Sequence, residues 1–180
     1  MNKSDIEKVL ITKDDIGNIV KELGAKITKD FDGEELIVVC ILKGSSIFFS
    51  DLVRNIKLDV KFDFMVISSY GNGTSSSREV KIIKDLTEDI SGKNVLVVED
   101  IIDSGRTLKS LSELLSARGP KTLKTVTMLD KPSRREVDMM ADYVGKIIPD
   151  EFVIGYGLDY AQKYRNLEDI CVLSPAVYQK

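Results

Sequence analysis

The chain has 180 residues, 43% of them apolar and 31% charged, with a net charge of −3. That is an ordinary composition for one globular domain with a sizeable core, and its acidic balance argues against a nucleic-acid partner, which needs a basic face. No apolar run approaches the ~20 residues of a membrane span, and Met1–Asp5 leads into no secretory core, so no membrane partner is expected and the reading is cytoplasmic. There is no histidine. Zinc sites built on His are excluded, and any general base must be Asp, Glu, Lys, Tyr or Cys.

In chain order, Ile16, Ile19, Val20, Leu23 and Ile27 fall at helical spacing and predict a helix over 12–30, with Thr12 as N-cap and Asp14 and Asp15 in its first turn. Leu36–Leu42 is wholly apolar and reads as a strand buried on both faces. Lys43-Gly44-Ser45-Ser46 is a turn, followed by a helix to about Ile56. Val60–Tyr70 alternates and predicts a strand. Gly71–Arg78, rich in Gly and Ser, reads as a flexible connection, and Glu79–Leu86 as another strand. Val95–Val98 is a buried strand, and a helix over 107–118 ends at Gly119-Pro120. Leu123–Leu129 and Tyr143–Ile148 complete the strands, and 152–180 reads as an irregular tail. Cys40 and Cys171 sit in apolar runs, which predicts buried free thiols. Buried strands alternating with amphipathic helices predict an α/β fold with a mostly parallel sheet, its ligand site at the carboxyl ends of the strands.

The segment Val95–Thr107 carries most of the chemistry. The strand stops on Glu99 and Asp100, Asp103 follows, and Ser104-Gly105-Arg106-Thr107 turns into a helix. Backbone N–H groups of such a turn suit a phosphate monoester. The acids suit a sugar diol, a Mg²⁺ ion or a proton transfer. No Walker loop is present, and Gly71-x-Gly73 and Gly155-x-Gly157 lack the third glycine of a dinucleotide fingerprint.

Four apolar residues, two acids, two apolar residues, then Asp, a small residue, Gly, any residue and Thr: this order resembles the phosphoribosyl-diphosphate (PRPP) motif of the type I phosphoribosyltransferases. Leu42-Lys43-Gly44, Ser69-Tyr70, Leu129-Asp130-Lys131 and the stretch from Pro149 to Leu167 are similar to one subfamily, the bacterial-type hypoxanthine-guanine phosphoribosyltransferases. The resemblance implies one domain over 1–180. A core of about 33–148, a central mostly parallel sheet flanked by helices, would carry a small hood from about 1–30 and 149–180. It implies transfer of the 5-phosphoribosyl group of PRPP to N9 of hypoxanthine or guanine, giving IMP or GMP and pyrophosphate, with Mg²⁺ as cofactor in a homodimer or homotetramer.

The same resemblance implies roles for single residues. Glu99 and Asp100 would bind the ribose hydroxyls, directly or through Mg²⁺. Asp103 would act near N7 of the purine, as a base or by electrostatic steering; it could also cap the following helix. Ser104, Gly105, Arg106 and Thr107 would hold the 5′-phosphate, Arg106 through its backbone. Lys43, Gly44 and Arg165 would bind pyrophosphate, with Leu42–Lys43 the candidate for a cis peptide, and Asp159 would join the metal. Lys131 would donate to O6, against the plain alternative of a surface lysine before Pro132. Phe152 would stack on the base, against simple core packing, and Val153 would offer backbone groups. Ser69 and Tyr70 open the loop expected to close over the site. Two other readings stay open: a xanthine-preferring transferase, and a PRPP-sensing regulator that binds nucleic acid.

Overall fold

The computed structural model describes residues 3–69 and 80–179. At its centre is β2 (Leu36–Leu42), buried along nearly its whole length. It lies between β3 (Val60–Ser69) and β5 (Asn94–Ile102), parallel to both. With β4 (Val80–Lys84), β6 (Thr122–Asp130) and β7 (Tyr143–Ile147) the sheet runs β4-β3-β2-β5-β6-β7. Only β4 is antiparallel to its neighbour. A strand buried on both faces must be covered twice, and its alternation divides the work. Val38 and Cys40 pack with α1 (Lys13–Asp30) and α2 (Ser46–Asn55), while Ile37, Val39 and Ile41 pack with α3 (Arg106–Ser116). Thr12 caps α1 by accepting the Asp15 N–H at 3.2 Å. Cys40 and Cys171 are buried free thiols.

A second, three-stranded sheet joins the two ends of the chain: β1 (Ile6–Ile11), β9 (Ile170–Leu173) and β8 (Val153–Ile154), in the order β1-β9-β8 and antiparallel. Residues 152–180, expected to be irregular, therefore contain two strands and the short helix α4 (Pro175–Tyr178). Pairing between opposite chain ends leaves no local periodicity to detect. Helix α1 packs on α2 and β7 and buries Ile16, Val20, Leu23 and Ile27 in the main core.

The parallel strands end on one edge of the sheet. That edge carries Lys43–Gly44 after β2, the end of β3 at Ser69, Asp103 after β5, Lys131 after β6 and Ile148 after β7. Tyr70 and residues 71–78, the expected closing loop, lie outside the described residues. Among the described residues no helix is long and apolar enough to cross a membrane.

Candidate active site

Strand β5 runs further than its apolar run suggests. Its ladder with β6 pairs Glu99 with Thr127 and Ile102 with Asp130, so both acids lie inside the strand. The chain then turns through Asp103 and Ser104 to Gly105, the N-cap of α3, at φ 82°. This left-handed conformation favours glycine. Gly105 brings no capping side chain; the Arg106 N–H reaches the Ser104 hydroxyl at 3.4 Å, and the Asp103 carboxylate accepts from Arg134, so Asp103 is not the cap. A cavity of about 220 Å³ opens over the turn, lined by Glu99, Asp100, Asp103, Ser104, Gly105 and Thr107. The Arg106 side chain turns away, and its Nε donates to Glu136 Oε2 at 2.5 Å.

Glu99 and Asp100 keep some open surface towards this cavity but are otherwise surrounded by protein. Burial pushes the Glu99 carboxyl well above its usual range, and the adjacent Asp100 adds to the effect. Burial likewise raises Asp100 to about 6, opposed by the Ile101 N–H at 2.8 Å and by Arg165. These acids want positive charge or hydrogen-bond donors, which a ribose diol or a metal ion provides. A stability prediction follows. A carboxyl with a raised native pKa binds more protons folded than unfolded between about 4 and 6. Its charged form therefore opposes folding increasingly as pH rises through that window. Asp100→Asn keeps the size and the acceptor for Ile101, so the substrate-free variant should melt higher than the parent at pH 8 and equally at pH 4. Thermal unfolding at the two pH values checks this; a lower melting temperature at pH 8 would refute it.

The side of the site at Lys43 and Gly44 is assembled by close backbone approach. The Leu42–Lys43 peptide is cis. A Cβ on Gly44 would lie 1.6 Å from Asp100 Oδ2, and one on Gly157 would lie 2.0 Å from the Gly44 carbonyl oxygen. No side chain fits at either position. Beyond Gly157 the chain takes positive φ at Ala161, Gln162 and Tyr164, a coil that brings Asp159 and Arg165 together at 2.9 Å. Arg165 also donates to the Gly157 carbonyl at 2.7 Å. Gln162, which the sequence did not single out, accepts from both Arg165 (3.3 Å) and Lys43 (3.4 Å).

Among the described residues no three His, Cys, Asp or Glu side chains cluster closely enough to hold a metal by themselves. The donors nevertheless fit Mg²⁺, which keeps several waters and takes one or two carboxylates together with substrate phosphates. Glu99 and Asp100 are adjacent, and Asp159 lies close enough to raise the Asp100 carboxyl.

On the other side of Asp103 stands Lys131, only 7% exposed. Its backbone N–H donates to Ile102 at 2.9 Å. Its burial sets it apart from a surface lysine, and among the described residues nothing accepts from its ammonium group. Phe152 is 38% exposed. Tyr178 stacks on its ring at 5.1 Å, and Tyr160 lies nearly perpendicular to it at 5.6 Å. Leu173 donates to the Phe152 carbonyl at 2.8 Å. That makes Val153, opposite Val172, the non-hydrogen-bonded position of an edge strand, with its N–H and C=O directed outward. Arg134 joins the two parts: Nε donates to Asp103 Oδ1 at 3.2 Å and Nη1 lies 3.6 Å from Asp150 Oδ2. Sequence reasoning passed over Arg134 and Arg135, although a basic pair straight after Lys131-Pro132 was a visible signal.

The fold and this edge define a phosphoribosyltransferase, and the comparisons agree. Residues 11–161 match the phosphoribosyl transferase domain family model, and the chain belongs to that family. Within it, the chain is 55% identical to the hypoxanthine-guanine phosphoribosyltransferase of Staphylococcus aureus (strain Mu50), covering 97% of this chain and 98% of that one. It is 51% identical to the bifunctional protein TilS/HprT of Listeria monocytogenes, matching 98% of this chain and 27% of that longer one. A crystal structure of a hypoxanthine phosphoribosyltransferase from Staphylococcus aureus superposes with a TM-score of 0.95 at 55% identity, over 98% of this chain and 96% of that one.

Proposed function

We propose that the chain transfers the 5-phosphoribosyl group of PRPP to N9 of hypoxanthine or guanine, releasing pyrophosphate and giving IMP or GMP. One observation carries the reading: a phosphate-sized turn, two largely enclosed acids, the Arg165 guanidinium and a buried lysine with no acceptor among the described residues lie together at one sheet edge. N–H groups of the Ser104–Thr107 turn bind the 5′-phosphate. Glu99 and Asp100 accept from the ribose hydroxyls. Lys43, Gly44 and Arg165 face the pyrophosphate. Lys131 donates to O6, Phe152 stacks on the base, and Val153 meets the base edge through its backbone. The N9–C1′ bond forms as C1′–O to pyrophosphate breaks. Asp103 takes or steers the proton at N7 while positive charge builds on the ring.

Mg²⁺, when bound, neutralises charge on the leaving pyrophosphate; Glu99, Asp100 and Asp159 are the residues that would hold it. We place the protein in the cytoplasm, where two unpaired thiols stay reduced. We read it as a homodimer or homotetramer, with the exposed Phe62 and Phe64 beside Phe49 as an apolar face suited to a second copy.

Nucleotide formation from PRPP and hypoxanthine or guanine is expected to stop in excess EDTA and return when Mg²⁺ is restored. Initial rates with each base measure this. Full turnover in EDTA would remove the metal from the mechanism.

A further inference from the structure

We infer that Arg135 is a positioning residue: it clamps the phosphate turn from behind and fixes the direction of that turn's N–H groups. The inference rests on reading 103–107 as the phosphate-binding turn.

The Arg135 side chain is 15% exposed and lies beneath the turn. Its Nη1 donates to the backbone carbonyl of Asp103 at 2.5 Å. Its Nη2 donates to Asp130 Oδ1, at the buried end of β6. The next residue continues the contact, since the Glu136 N–H donates to the Ser104 carbonyl at 3.0 Å. Two successive carbonyls of the turn thus point towards 135–136. In a planar trans peptide the N–H lies opposite the carbonyl. The N–H groups of Ser104 and Gly105 therefore face the other way, towards the cavity. Successive N–H groups pointing into one hollow make an anion-binding nest.

Gly105 completes the fit. A Cβ there would lie 2.8 Å from Arg135 Cδ, so the turn rests directly on the arginine stem. The chemistry needs an arginine. A planar fork bridges a carboxylate and a carbonyl together, whereas the single ammonium of lysine cannot span them in the same way.

The test measures KM for PRPP, KM for hypoxanthine and kcat in Arg135→Met and Arg135→Lys. Hydrogen bonds to a charged group weigh enough that Arg135→Met should raise the KM for PRPP about tenfold, and Arg135→Lys by roughly threefold. The KM for hypoxanthine and kcat should stay within about twofold, a split that general loosening of the fold does not produce. Arg135→Met leaves Asp130 buried without its partner; if that variant does not fold, Arg135→Lys decides. An unchanged KM for PRPP, or an equal rise in both KM values, overturns the clamp. A parent protein that forms no nucleotide contradicts the transferase reading instead. The clamp is then read by calorimetry with ribose 5-phosphate, which the parent should bind more tightly than either variant; equal binding overturns it.

Discussion

Adenine should be a very poor substrate, below hypoxanthine in kcat/KM by on the order of 10³ or more. Lys131 carries donors only, is 7% exposed and has no acceptor among the described residues. Hypoxanthine brings a carbonyl oxygen to it. Adenine brings an amino group, sets two donors face to face and leaves a buried charge without a partner. A site built around one polar contact rejects the wrong partner by ~10⁴–10⁵ when water is fully excluded, and the residual exposure here lowers that expectation. Lys131→Gln, whose amide either donates or accepts, should weaken hypoxanthine and narrow the gap. Steady-state kinetics with both bases check this. Comparable kcat/KM values in the parent would overturn the role of Lys131 and the 6-oxopurine assignment together.

Asp103→Asn should lower kcat by ~10²–10⁴, the usual weight of a general acid–base group, while the KM for PRPP changes little. The substitution keeps size and one acceptor but removes the charge. Asp103 does not cap α3, where Gly105 holds the cap position without a side-chain bond. It stands half-exposed at the cavity, held by Arg134 at 3.2 Å. A structural role would appear as a fall in melting temperature with kcat intact. A kcat within about threefold of the parent would show that neither the charge nor the proton of Asp103 matters in the transfer.

The legible parts of this molecule are those that local pattern determines. Leu36–Leu42 has no polar residue, so it reads as a central strand wherever it is met, and α1 carries its apolar stripe in eighteen consecutive residues directly after its cap, Thr12. The turn at 103–107 is legible because its chemistry is contiguous. What escaped depends on distant partners. Glu99 and Asp100 read as strand-ending acids, yet β6 supplies Thr127 and Asp130 to carry the ladder past them. Strand β1 exists through β9 at the far end of the chain. Gln162 and Arg135 acquire roles only through the coil at 157–165 and the packing under Gly105. Lys131 is legible from its motif, but its burial and its lack of an acceptor among the described residues are tertiary facts.

The most direct test is product analysis after incubating the protein with PRPP, Mg²⁺ and an equimolar mixture of hypoxanthine, guanine, adenine and uracil. The site described here predicts IMP and GMP, with pyrophosphate released in equal amount to total nucleotide and only traces of AMP or UMP. AMP or UMP as the main product, or no nucleotide at all, would contradict it.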